Sequence, residues 1–367
     1  MSDTPAMEMP GWLDMLGGLV ERAPGFWRRV GGLESNANRD ALDAIRVDRP
    51  VYVAGLARSG STILLELLAG HPDTATHQYR DFPMLFAPVF WNRAFGQVYS
   101  RKAEPAERAH KDRILVTPDS PEAMEEMLWM GFFPRAHDLE GSHVLDGRTA
   151  NPAFEVFYRD HVRKILLIRG GTRYLSKGNY NLTRLAYLRK LFPDARFIVP
   201  VREPRWHVAS LLKQHRLFAA EERRDPRILK HMRRVGHFEF GLDRRVVNVG
   251  DDDRARSIDR LWHEGADARG YARLWATLYG FVQDQLAADL ALAAQTLILR
   301  YEDLCADPKA RLRQALDHAG LDLEPAKIDA AAARVSPPTY YSPDFSPEDE
   351  AAIREETEGV AARYGYG

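Results

Sequence analysis

A single cysteine, Cys305, stands in 367 residues. Without a second thiol the chain can form no intrachain disulfide and no multi-cysteine metal site. Lysine is nearly as scarce: nine of the 51 basic residues are lysines and the rest arginines, so an anion-binding motif has to be sought with arginine in mind. No stretch approaches the roughly 18–20 apolar residues that span a bilayer. Residues 1–10, with Asp3 and Glu8, lack the basic start and apolar run of a signal peptide. A reducing, cytoplasmic setting is the expectation. Neither charge dominates, with 51 Lys+Arg against 52 Asp+Glu, which excludes a broadly polybasic protein, and no nucleic-acid partner is expected. Internal repeats and low-complexity tracts are absent too.

What is present is the composition of an ordinary globule, 45% hydrophobic and 28% charged. Residues 1–46 read as a helical extension. Trp12, Leu13, Leu16, Leu19 and Val20 fall at helical spacing, and Gly31-Gly32 punctuates before a second piece over 36–47. Its polar face has few basic residues, so it is expected to pack on the main domain or on a second subunit, as in a homodimer, rather than on a membrane. Residues 47–367 read as one domain. Short apolar β-prone runs at 51–54, 174–176, 197–201 and 297–301 alternate with helical patterns at 62–69, 206–218 and 271–294. That alternation predicts an α/β fold, a mostly parallel central sheet flanked by helices. Two charged insertions interrupt it: 101–113, expected to be helical, and 225–269, with Asp251-Asp252-Asp253 expected in a solvated turn.

The first strand and helix are joined by Gly55-Leu56-Ala57-Arg58-Ser59-Gly60-Ser61. Gly55 and Gly60 have G-x-x-x-x-G spacing, and such a turn points backbone N–H groups inward at a helix N-terminus, where an anion is favoured. Ser59, Ser61 and Thr62 add three hydroxyl donors. A triphosphate loop would place Lys and then Ser/Thr after the second glycine; here those positions are Ser61 and Thr62, and the only cation in the loop is Arg58. The run 197–201 leads into Arg202 rather than into an acidic residue for Mg²⁺.

Residues 55–72, GLARSGSTILLELLAGHP, resemble the 5′-phosphosulfate loop of sulfotransferases, of the P-loop-like bacterial type, that use 3′-phosphoadenosine 5′-phosphosulfate (PAPS). FIVPVREPRWHVAS, giving Arg202 and Ser210, is similar to the family's second element, and Tyr301-Glu302-Asp303-Leu304 to its third. The three occur in family order, and the similarity extends over most of 48–320. The resemblance implies PAPS as sulfuryl donor, no metal, and a hydroxyl or amine acceptor such as a carbohydrate or small metabolite. It assigns Arg58, Ser59, Gly60, Ser61 and Thr62 to the 5′ end, Arg202 and Ser210 to the 3′-phosphate, and Tyr301 to the adenine. Arg58 also takes the charge growing on the leaving phosphate, and Lys177 lies near the bridging oxygen or the sulfonate.

Where cytosolic members carry a catalytic His, this chain has Asn179, which cannot take a proton. The carbohydrate-modifying members place a carboxylate past His-Pro, and Asp81 sits within one residue of that place, with His77 as competitor. Glu125 and Glu126 are further candidates for the acceptor side. The family's basic segment over the 3′-phosphate is not recognisable in 336–341. Two other readings stay open: a P-loop kinase or nucleotide triphosphatase with a degenerate loop, and a nucleotide-binding protein that has lost its base.

Overall fold

The structure, a computed structural model, describes residues 11–100, 104–108, 110, 114–337 and 341–367. The expectations for residues 1–10, for the side chains of Trp12 and Leu13, for parts of 101–113 and for 338–340 lie outside the described residues. Five parallel strands form the central sheet, in the order β2-β5-β1-β6-β7: β1 Val51–Ala54, β2 Thr74–Ala75, β5 Arg173–Gly178, β6 Arg196–Val201 and β7 Thr296–Arg300. Two short strands, β3 Ala106–Glu107 and β4 Leu115–Val116, pair apart from it.

β1 is apolar throughout because both faces are covered. Val51 and Val53 face the helix Ser61–Ala69 through Leu64, Leu65 and Leu68, with Leu175, Ile198 and Leu299 from neighbouring strands. Tyr52 and Ala54 point the other way, into the larger core with Tyr174, Phe197 and Val199. The chain leaves β1 for β2 and β5 on one side and returns to β6 and β7 on the other. The carboxyl end of β1 is therefore a topological switch point, where open parallel sheets bind ligands.

The expected strands are all present, with one shift at the end of the sheet: β7 stops at Arg300, and Tyr301 opens the helix Tyr301–Ala306. Three expectations need correction. Residues 106–107 are a strand rather than helix, and Pro105 just before them lacks the N–H a helix interior needs. Gly31-Gly32 does not end a helix, since Pro24–Ala37 runs through both. A Cβ on Gly31 would lie 2.5 Å from the Phe86 carbonyl oxygen, so glycine there permits close packing. Residues 225–269 contain the helices Pro226–Val235 and Asp252–His263, and Asp251 caps the second by accepting from Arg254 N–H.

The extension docks on the helix Pro152–Arg169. Lys164 Nζ lies 3.1 Å from Glu34 with both side chains fully buried, and Arg39 makes a two-pronged pair with Asp160. Met15, Leu19, Phe26 and Leu33 remain exposed. Among the described residues no helix is long and apolar enough to cross a membrane.

Candidate active site

The strand ends gather the site. β1 delivers the loop 55–60, β5 delivers Lys177, β6 leads into Arg202, and β7 into Tyr301. The loop is held by close contacts. A Cβ on Gly60 would fall 2.4 Å from Tyr301 Cδ2, and one on Gly55 2.7 Å from both Ser59 Oγ and Pro200 Cγ. Gly60 has φ +96 and Arg58 φ +74. Left-handed backbone is easy for glycine, but for arginine it is a strained state that the surroundings must enforce. Part of that enforcement is His207, whose Nε2 bonds the Ala57 carbonyl at 2.8 Å. Burial drives its pKa down to about 3, so the ring is neutral at pH 7 and donates this bond.

The helix Ser61–Ala69 starts at Gly60 with no side-chain cap, leaving its first N–H groups directed at the loop's hollow. Ser59 Oγ is buried and has no hydrogen-bond partner among the described residues; the same holds for Arg202 Nε. Arg58, Arg202 and Ser210 meet here: Arg58 Nε donates to Ser210 Oγ at 3.2 Å, and Arg202 Nη1 to the Arg58 carbonyl at 3.3 Å. Trp275 Nε1 donates to the Arg202 carbonyl at 3.2 Å and fixes the turn. Arg202 and Tyr301 stack, with Cζ 4.8 Å from the ring centroid. Both line a cavity of about 280 Å³ together with Trp206, Glu302, Cys305 and Pro337. The Tyr341 ring lies against the same arginine, 5.7 Å from its Cζ. Arg334 instead pairs with Glu66.

On the other flank Lys177 Nζ and Arg108 Nη1 converge on Thr62 Oγ1, at 3.1 and 3.4 Å. Burial pulls the Lys177 pKa below the usual lysine range, against the opposing pull of Glu122 and Glu239. Glu122 also interacts with Arg108 and the Tyr79 hydroxyl. Glu239 accepts from Asn179 Nδ2 at 2.6 Å and bonds His237 Nδ1 through its other oxygen at 2.5 Å. His237 is partly exposed, its side chain 26% accessible.

Asp81 and His77 sit elsewhere, in a sealed cluster. Asp81 has no exposed surface. Arg169 Nη2 reaches both its oxygens at 2.5 and 2.6 Å, and Gln78 N–H and Asn92 Nδ2 donate to it at 2.9 and 3.1 Å. Burial alone would raise its pKa, but His77, Arg169 and the Gln78 N–H together hold it well below the carboxylate range. His77 turns Nε2 to His161 Nε2 at 2.9 Å. This placement speaks against either as the base. Glu125 and Glu126 are likewise occupied, by Tyr158 and Tyr174 and by Arg184 and His137.

Sequence reasoning missed Glu122, Glu239, His237, Trp206 and Arg108 as site residues. Glu239 and His237 come from the charged insertion, where nothing local marks them; Trp206 lies inside the motif FIVPVREPRWHVAS, and Glu122 three residues before Glu125. Among the described residues no group of three or more His, Cys, Asp or Glu is placed to hold a metal.

A sequence model described as the sulfotransferase family matches residues 50–244, more than half of the chain. The fold is similar to that of sulfotransferase STF1 from Mycobacterium tuberculosis H37Rv, at 18% identity over 94% of this chain and 86% of that one, with a TM-score of 0.51. It is also similar to sulfotransferase STF9 from Mycobacterium avium, at 15% identity over 92% and 82%, with a TM-score of 0.54. No curated protein sequence gave a match. With the lysine of a triphosphate loop replaced by Ser61, and the family matched from β1 through Arg202 and Ser210, the chain belongs to the sulfotransferase family and is a sulfotransferase.

Proposed function

We propose that this enzyme takes its sulfuryl group from PAPS and passes it to a hydroxyl or amine acceptor. One observation carries the reading: Arg58, Ser210 and Arg202 are distant in sequence yet bonded to one another, beside Ser59 Oγ and Arg202 Nε, two buried donors without a hydrogen-bond partner among the described residues. Such a pair of adjoining donor sets fits a nucleotide with a 5′-phosphosulfate and a separate 3′-phosphate. Ser59, Gly60, Ser61 and Thr62 would hold the 5′ end by backbone N–H and hydroxyl donors. Arg202 and Ser210 would hold the 3′-phosphate by a charge-assisted and a neutral hydrogen bond. Arg58 spans the two, with its backbone in the 5′ loop and its guanidinium on Ser210. Trp206 and Tyr301 offer aromatic surface for the adenine in the cavity they share.

Bound there, PAPS supplies an activated sulfuryl group on a phosphate leaving group. Lys177, poised on Thr62, neutralises charge growing on the departing oxygen, the preorganised electrostatic help that transfer through a loose transition state needs. His237, oriented by Glu239, accepts the acceptor's proton. The Glu122 carboxylate attracts the Lys177 ammonium. The transfer forms one S–O or S–N bond, breaks the bond between sulfur and the phosphate oxygen, and moves one proton to His237.

The test is incubation with PAPS and a metabolite extract, read as products heavier by one sulfuryl group, with 3′,5′-ADP released in equal amount. His237→Gln is expected to lower kcat by about 10²–10⁴ with 3′,5′-ADP affinity retained. Unchanged turnover in that variant would remove His237 from the mechanism, and binding of Mg-ATP in preference to 3′,5′-ADP would remove PAPS.

A further inference from the structure

We infer that the chain carries a second oxyanion site, outside the active site, between the edge strand β7 and the C-terminal helix Pro347–Arg363. A cavity of about 250 Å³ there is lined by Arg300, Arg311, Arg363, Asp303, Gln283 and Gln314, with backbone of β7 and the Tyr364 ring beside them. Three arginines and one acidic residue thus line it. Asp303 lies 4.0 Å from Arg311, too far for a strong paired hydrogen bond. Arg363 pairs with Asp284, whose side chain is 72% exposed, and a pair that open holds its partner weakly.

The decisive feature is at Arg300 and Arg311. Arg300 Nη1 donates to the Gly365 carbonyl at 3.0 Å, its guanidinium lying 4.3 Å above the Tyr366 ring. Arg311 Nη1 donates to Gln314 Oε1 at 3.0 Å. The Nε of each is buried and has no partner among the described residues. Buried polar groups in native proteins are nearly always bonded. Arg300 and Arg311, from different elements, line one cavity with excess positive charge, a setting that matches the acceptor oxygens of a phosphate- or sulfate-type group. The volume falls just under the roughly 300–1,000 Å³ of drug-sized sites, so it suits an inorganic oxyanion or a small ester.

The site is wired to the active centre. Arg300 is followed directly by Tyr301, which packs on Gly60. Tyr366, under Arg300, donates its hydroxyl to Glu302 at 2.6 Å, and Glu302 accepts the Glu203 N–H at 3.0 Å, one residue past Arg202. An anion on Arg300 therefore braces Tyr301 and Arg202 from behind, and it tightens nucleotide binding.

The test uses the full chain saturated with 3′,5′-ADP and titrated with sodium phosphate, sulfate or glycerol 3-phosphate, against chloride at equal ionic strength. Melting temperature and titration heat are read together. A saturable rise beyond the chloride control is expected, because a ligand bound only by the native state stabilises it. Arg311→Gln, at a partly exposed side chain, and Arg300→Gln should each weaken that binding about tenfold or more. Preference for glycerol 3-phosphate assigns the site to phosphate esters; equal or better binding of the inorganic ions assigns it to those. Selenate soaked into crystals should give anomalous density between Arg300 and Arg311. No rise beyond chloride, an undiminished rise in both variants, or selenate located only elsewhere overturns the inference. If 3′,5′-ADP itself fails to bind, the donor proposal is at fault. The same titration on the Arg58→Ala/Arg202→Ala protein then tests this site alone.

Discussion

Gly60 shows how little freedom a single residue in the loop has. Its φ of +96 and the 2.4 Å approach of Tyr301 to a would-be Cβ mean that Gly60→Ala must both strain the backbone and displace a ring. The left-handed conformation alone costs about 1–2 kcal/mol. Gly60→Ala is therefore expected to lower the melting temperature and to weaken 3′,5′-ADP binding together; an alanine protein with native affinity would contradict the packing described. Asp81 makes the opposite point. The spacing past His71-Pro72 points to a base, but the carboxylate is bonded by Arg169, 88 residues away, and no local pattern carries that information. Removing one member of a buried pair typically costs about 3–5 kcal/mol, so Asp81→Asn should cut stability by that order rather than selectively reduce kcat. The pH dependence has a definite sign. The folded pKa of Asp81 lies below its ordinary 3.8, so its contribution is full above pH 3.8 and fades as the pH falls below that value through the folded pKa. The stability gap between wild type and Asp81→Asn, measured by urea denaturation, should stay level from pH 6 down to about pH 4 and narrow below it, not widen.

Among the elements, those of the sheet were the easiest to read. Runs such as 51–54 and 197–201 are apolar at every position because helices cover both faces of β1 and β6, so composition alone marks them. β2 is only Thr74–Ala75, too short for any periodicity. The insertion helices were hidden for another reason. In Asp252–His263 only Ala255, Ile258 and Trp262 are buried, a narrow stripe within a charged segment. The Glu34–Lys164 pair joins the helix Pro24–Ala37 to the helix Pro152–Arg169. Burial is the largest influence on both, raising the Glu34 pKa and lowering that of Lys164, so desolvation outweighs their mutual attraction. Glu34→Gln alone, which leaves Lys164 uncompensated, should destabilise the fold by about 3–5 kcal/mol, while Glu34→Met with Lys164→Met should be near neutral or stabilising. Chemical denaturation of the three proteins checks this, and a double variant worse than the single one would count against it.

For the whole molecule, the residues proposed for the cofactor could be named from the sequence because the loop 55–60, Arg202 and Tyr301 each follow a strand, and strand ends converge at the switch point over β1. Arg58, Arg202, Ser210 and Tyr301 could be named one by one, though not their contacts with one another. The proposed acceptor side was illegible because Glu122, Glu239 and His237 arrive from loops and an insertion whose placement depends on the finished core. The central claim is that Arg202 and Ser210 form a 3′-phosphate site distinct from the 5′ loop. Isothermal titration of wild-type, Arg202→Ala and Ser210→Ala proteins with 3′,5′-ADP and with 5′-AMP tests it most directly. The loss of a charged hydrogen bond, worth about 1.5–3 kcal/mol, should weaken 3′,5′-ADP binding to Arg202→Ala by roughly 10–150-fold and leave 5′-AMP affinity nearly unchanged. Ser210→Ala should show the same selectivity at smaller size. Equal losses for both nucleotides, or none for either, would contradict the account.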